Sequence, residues 1–209
     1  MKISVGPVEV KLIDGDRIAD HVAKKGSFEP ASLEAWAKMV KSGKTAVDVG
    51  AYTGLFSISA ALLGADVVAI EPIKRLVDRL LQNARINGVK LSLHQVAASD
   101  TEGQGSIAHN PAVAFSAGAS IIRKKGPREP VKLATLDSLG LVDVAAIKID
   151  VERNEAAVLR GARKTLEKWR PSLLVEALDA DLRAAVMREI PDYKLVGVLD
   201  VRNLHLEPR

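Results

Sequence analysis

The feature that most restricts what this chain can fold into is the alternation of short apolar runs with helix-period segments. Apolar runs stand at Thr45–Val49, Val67–Ile70, Leu91–Ala97, Val144–Ile149 and Leu173–Val175. Each is too short for a buried helix and long enough for a strand covered on both faces. Helix-period segments, Leu55–Leu63, Ile73–Asn87 and Glu155–Trp169, separate most of them, with Pro30–Lys41 before and Asp181–Glu189 after. In Pro30–Lys41 the residues Leu33, Trp36, Met39 and Val40 mark one apolar face. Parallel strands need such crossovers, because a tight turn returns the chain antiparallel. The expected architecture is therefore α/β, a mostly parallel seven-stranded sheet with helices on both faces. Tyr193–Leu199 and Asn203–Glu207, joined by a turn near Asp200, supply an antiparallel C-terminal edge.

Two stretches break the alternation. Ile3–Ile13, with turn residues at Gly6-Pro7 and Asp14-Gly15-Asp16, reads as a small β element, so residues 1–27 are expected to form an N-terminal flap or edge. Between Asp100 and Thr135, Gly, Pro and short apolar pieces dominate, and residues 101–134 are expected to be an inserted loop or hairpin that covers the substrate. A length of 209 residues suits one domain, 1–209, carrying both appendages.

Composition removes whole classes of chemistry. With no cysteine the chain has no thiolate zinc site, no cysteine nucleophile and no iron–sulfur cluster held by its own thiols. Aromatic residues make up 3%, too few for a stacking platform along single-stranded bases. The net charge of +4 is a mild basic excess that helps an anion approach without requiring nucleic acid. No apolar run reaches the roughly 18 residues of a membrane span, and the first residues lack the pattern of a secretion signal, so no membrane partner and a cytoplasmic location are expected.

The chemistry concentrates at strand ends. Val47-Asp48-Val49-Gly50-Ala51-Tyr52-Thr53-Gly54 closes one strand and opens a helix, the place where a doubly wound sheet binds a ligand. A dinucleotide fold needs a glycine at the position of Tyr52 to admit a pyrophosphate, so the ligand should lack one. Glu71, 21 residues beyond Gly50 at the next strand's end, can accept hydrogen bonds from both hydroxyls of a ribose. A nucleoside without pyrophosphate is the class these features indicate, and S-adenosylmethionine fits it.

These motifs resemble the FkbM family of class I S-adenosylmethionine-dependent methyltransferases. The likeness rests on Phe28-Glu29-Pro30, the 47–54 segment, Ala69-Ile70-Glu71-Pro72, Val96-Ala97-Ala98-Ser99-Asp100, Thr135-Leu136-Asp137-Ser138-Leu139, Ile147-Lys148-Ile149-Asp150-Val151-Glu152 and Pro171-Ser172-Leu173-Leu174-Val175-Glu176. The resemblance implies a Rossmann-like class I methyltransferase fold. It also implies that Asp48, Gly50 and Gly54 border the methionine portion of S-adenosyl-L-methionine, Glu71 the ribose, and Ala98, Ser99 and Asp100 the adenine, with Ala51, Tyr52 and Pro72 also among the cofactor-binding residues. The chain departs from the family at Tyr52, where Asn is usual, and at Arg153, where Gly is usual.

Period-two geometry places Lys148, Asp150 and Glu152 on one side of their strand if the strand extends that far. Methyl transfer from a sulfonium requires an aligned acceptor that loses a proton, and a carboxylate at this rim suits the task. Asp150 is the first candidate for base or acceptor-orienting group and Glu152 the second, with Lys148 as partner or participant. Glu155 is a further candidate, and Glu176 would form the opposite wall. Asp150 and Glu176 supply only two oxygens for a cation, so no metal site is expected. His109 and the basic run Arg123-Lys124-Lys125-Gly126-Pro127-Arg128 lie in the insertion, where a histidine could reach an acceptor and the cations could hold its phosphate or carboxylate. The function the resemblance implies is O-methylation of a hydroxyl on a small or medium-sized molecule. RNA ribose 2′-methylation and cofactor binding without catalysis are the alternatives.

Overall fold

A computed structural model describes residues 1–108 and 127–209. Its centre is a seven-stranded sheet built from β3 (Thr45–Val49), β4 (Asp66–Ile70), β5 (Ser92–His94), β9 (Val144–Ile149), β10 (Ser172–Glu176), β11 (Tyr193–Leu199) and β12 (Asn203–Pro208). The spatial order is β11-β12-β10-β9-β3-β4-β5. All pairs among β5, β4, β3, β9 and β10 are parallel, while β12 is antiparallel to both neighbours. The C-terminal hairpin thus does form the edge, but its last strand folds inward and leaves β11 outermost. Every residue of β3 is buried, as befits the middle strand of a sheet covered on both faces.

One face of the sheet packs against α2 (Pro30–Met39) and α3 (Leu55–Leu62), whose Leu33, Trp36, Phe56 and Ile58 meet Ala46, Ala146 and Leu174. The other packs against α5 (Glu155–Arg160), α6 (Arg163–Trp169) and α7 (Ala180–Glu189) through Val158, Leu159, Leu166 and Val186. The segment expected to be one helix over 155–169 is broken at Gly161. There a Cβ would overlap the carbonyl of Ser99, and the Asp137 carboxylate accepts from the Lys164 and Thr165 N–H groups to start the second piece.

The N-terminal β element is the hairpin β1 (Lys2–Val5) and β2 (Val8–Lys11), which buries Ile3, Val5 and Val10. It is stitched to α4 (Lys74–Ile86) by side-chain amides: Lys11 N–H donates to Asn87 and Ile13 N–H to Asn83. A helix the sequence reading did not assign, α1 (Arg17–Lys25), follows it, capped by Asp16 and closed by Gly26 at φ 79°. Within the insertion, β7 (Gly103–Ala108) and β8 (Arg128–Ala134) pair antiparallel, and β8 also runs beside the short β6 (Ala97–Ala98). His109 and residues 123–126 of the basic run lie outside the described residues. Among those described, no helix is long and apolar enough to cross a membrane.

Candidate functional site

A cavity of about 380 Å³ opens at the carboxyl ends of β3, β4, β9 and β10. Parallel registry explains why the charged residues converge there. β3 and β9 pair Asp48 with Lys148, and β9 and β10 pair Ile149 with Val175, so Asp150 and Glu176 follow side by side as the strands end.

The glycine loop forms one wall, in a way the sequence did not anticipate. Its amides do not face the crevice as a free cradle. Gly50 and Ala51 N–H donate to the Ile70 carbonyl, Gly54 N–H to that of Ala51, and Tyr52 N–H to Glu71 Oε2 at 3.0 Å. An anion-binding nest needs such donors free, so the loop offers little to a pyrophosphate. Gly50, at φ 81°, is required for a second reason: a Cβ there would collide with the Asp150 carbonyl oxygen. Tyr52 itself adopts φ 51°, a conformation Asn tolerates better, and its hydroxyl accepts the Arg17 N–H at 3.1 Å, joining the loop to α1.

Glu71 is buried, and its second oxygen accepts the Ile73 N–H at 2.9 Å. Each carboxylate oxygen keeps a further lone pair. Burial, opposed by the two amide hydrogen bonds, pushes its carboxyl up to about 7. Asp48 lines the cavity and accepts the Ser57 hydroxyl at 2.6 Å on one oxygen, while its other oxygen is buried with no hydrogen-bond partner. Burial raises this carboxyl as well.

The opposite wall is a side-chain network. Lys148 is buried, with Nζ 3.1 Å from Asp150 Oδ2 and 4.6 Å from the centroid of the Phe56 ring. Burial would lower its ammonium, but Asp150, Asp48 and Glu29 outweigh that and hold it charged. For Asp150 burial pulls upward, and Lys148 with a hydrogen bond from Glu176 brings the carboxyl below its usual range. Glu176 is pushed up to about 9, first by burial and then by Asp150. Arg202 spans Glu176 at 3.4 Å and Glu29 at 3.5 Å.

Of the residues expected at the site, Asp48, Gly50, Ala51, Tyr52, Glu71, Pro72, Ala98, Lys148, Asp150 and Glu152 line this cavity. Gly54, Ser99 and Asp100 do not. Gly54 abuts Leu80, Ser99 N–H is tied to the Ala134 carbonyl, and Asp100 is drawn 2.9 Å from Arg160. β9 stops at Ile149, and Glu152 and Arg153 follow at φ 54° and 80°, so the turn after it adopts at Arg153 the conformation that glycine favours. Glu155 turns away from the cavity and accepts the Val151 and Arg153 N–H groups. Among the lining residues that had no assigned role are the polar or aromatic Arg17 and His21 from α1, Phe28, Glu29, and Arg202 from the last hairpin. Asp16 and Gly26 could have flagged α1 as cap residues; nothing local marks Arg202.

A doubly wound sheet with one reversed strand, a glycine turn after its central strand and a buried acid after the next define the class I methyltransferase architecture. The FkbM methyltransferase domain matches residues 48–193, and the chain belongs to that family. Among solved structures, an FkbM methyltransferase from Methylobacillus flagellatus superposes with TM-score 0.54 and 22% identity, covering 80% of this chain and 44% of that one. A T. thermophilus 16S rRNA N2 methyltransferase, solved with AdoMet and guanosine, gives TM-score 0.58 at 14% identity over all of this chain and 50% of that one. The ribosomal protein L11 methyltransferase of Aquifex aeolicus is 36% identical over 69 residues, 32% of this chain. That match spans only 28% of the relative's length.

The cofactor of the family is S-adenosylmethionine, and the residues fit it. Glu71 retains acceptor capacity for ribose hydroxyls, Asp48 lines the cavity with one oxygen still unpartnered, and a carboxylate-lined cavity suits a cationic ligand.

Proposed function

We propose that this protein is an S-adenosylmethionine-dependent methyltransferase that methylates a hydroxyl of a small or medium-sized molecule. The observation that supports this reading is Asp150, an ionised carboxylate at the cavity wall held in place by a buried ammonium.

When bound, S-adenosylmethionine supplies an electrophilic methyl group on a sulfonium. Asp48 and Glu71 would hold its ammonium and ribose, with Glu71 pre-oriented by two backbone amides. Asp150 accepts the hydrogen of the acceptor hydroxyl and aims an oxygen lone pair along the line of displacement. A carboxyl held below its usual range is a weak base, which suits a late proton transfer. Once the oxygen carries the methyl group it is a protonated ether, a far stronger acid than any carboxylic acid, and Asp150 takes its proton then. Lys148 keeps Asp150 ionised and fixed. Glu29, Glu152 and Arg202 shape the acceptor side, and the two glutamates oppose a polyanion.

The test is labelled-methyl transfer from S-adenosylmethionine by the full chain to a panel of hydroxylated small molecules and, in parallel, to RNA. Product on the small molecules, absent in Asp150→Asn, is the expected result. Product only on RNA, with a steep loss of binding as salt rises, would replace it with the ribose reading. Cofactor binding without transfer to any member of either set would favour a non-catalytic role.

A further inference from the structure

Glu176 plays no part in the chemistry above, yet it is one of the most constrained groups in the cavity. It ends β10 directly beside Asp150 at the end of β9, because the register that pairs Val175 with Ile149 brings the next residues level. It is buried, level with Asp150 in the strand register, and 3.4 Å from Arg202. Two carboxyls side by side at a buried strand end cannot both ionise cheaply. Four other groups decide which one does. Lys148 on β9 contacts Asp150 directly, Glu152 in the following turn adds negative charge towards Glu176, and Arg202 divides its guanidinium between Glu176 and Glu29. The ammonium therefore selects Asp150 as the anion, and the proton remains on Glu176.

We propose that Glu176 is a positioning residue: as the protonated member of a carboxyl pair it donates a hydrogen bond to Asp150 and holds that carboxylate in the one orientation that can receive the acceptor. The pair follows from the strand geometry, whereas its use in positioning rests on the methyl-transfer reading. Since burial and Asp150 push Glu176 up to about 9, the donor survives through neutrality and is lost in mild alkali. Losing it puts a second charge beside Asp150 and removes the hydrogen bond that aims it. The pair should then splay towards Lys148 and Arg202.

Two measurements separate the pair from its use. Carbon NMR of the full chain labelled at glutamate and aspartate side chains, with and without S-adenosylhomocysteine, should show Glu176 releasing its proton near pH 9 in the wild type. In Asp150→Asn it should release it well below that. Titration of Glu176 in the ordinary carboxylate range in the wild type overturns the proposal, whatever the activity. With an acceptor from the panel, Glu176→Ala should lower kcat about tenfold to a hundredfold with little change in KM for S-adenosylmethionine, the pattern of lost alignment. Glu176→Gln, which keeps an N–H donor and cannot ionise, should recover most of that loss and lack the fall in rate above about pH 9. A wild-type alkaline fall that persists in Glu176→Gln, or full activity in Glu176→Ala, overturns the positioning role. Absence of product on both the panel and RNA, together with a Glu176 proton held to mild alkali, would refute the methyl-transfer reading, and with it the positioning role, while leaving the carboxyl pair intact.

Discussion

The two walls of the cavity hold their carboxylates by opposite means. On the glycine-loop side Glu71 is fixed by main-chain amides two and nineteen residues away, and every contact that orients it comes from the loop or turn beside it. On the strand-end side Asp150 is fixed by side chains: Lys148, Glu176 and, through Arg202, Glu29. The first arrangement depends on backbone shape and tolerates changes elsewhere in the chain. The second depends on a balance of buried charges, so that removing the Lys148 ammonium leaves Asp150 without its counterion.

That contrast can be broken most severely at Asp150. Asp150→Asn preserves shape but cannot take a proton at neutral pH, and turnover should fall about 10²–10⁴-fold while cofactor affinity is nearly unchanged. Rate and calorimetry on the same preparation check this, and near-normal turnover would shift the role to Glu152. Next comes Lys148→Met, which strands Asp48 and Asp150 and should cost about 3–5 kcal/mol of stability in chemical denaturation. An unchanged midpoint would mean the network is slack. On the other wall, Glu71→Ala should weaken S-adenosylmethionine and S-adenosylhomocysteine alike by about tenfold to a hundredfold, about 1.5–3 kcal/mol, with the fold retained. Loss of only one ligand would contradict a ribose contact. The mildest change is Tyr52→Asn, which relieves the φ 51° conformation and gives up the Arg17 hydrogen bond. Cofactor affinity should stay within about threefold, under 1 kcal/mol, while amide exchange in α1 accelerates. A large loss of affinity would assign Tyr52 a direct contact.

Acidity sharpens the same comparison. Glu71 and Glu155 are pushed up to about 7 and Glu176 to about 9, so the folded chain keeps protons that the unfolded chain releases near the usual carboxylate value. Stability should therefore decline as pH rises from about 4.5 towards 9. Asp150, displaced downwards, acts oppositely and withdraws support only in acid below its ordinary range. Denaturation midpoints across that window should slope downward, and Glu176→Gln should flatten the part above pH 7.

The fold was readable where burial is two-sided. β3, β9 and β10 announce themselves as solid apolar runs, and their ends mark Gly50, Asp150 and Glu176. α1 escaped because only Ile18 and Ala19 of its residues are fully buried, leaving a sequence that looks polar between two turns. The break at Gly161 escaped because a glycine inside a helical pattern is usually tolerated, and the reason for this one is the Ser99 carbonyl, remote in sequence. For the candidate site, the cavity wall made by the glycine loop and Glu71 depends on local spacing and could be read. The Arg202 bridge could not, since Glu29 and Glu176 meet it only when the last hairpin folds inward beside β10.

The contact between Gly50 and the Asp150 carbonyl bears on how such a catalyst could be redesigned. Because those two backbones touch with no room for a single carbon between them, the turn proposed to receive the donor and the residue proposed to receive the acceptor form one rigid part. An engineer seeking a bulkier acceptor cannot gain space by easing β9 away from β3 without also dislodging the donor's seat. Room has to come from α1 and the last hairpin, so grafting residues 17–29 and 200–203 between relatives is the direct route to a new acceptor range.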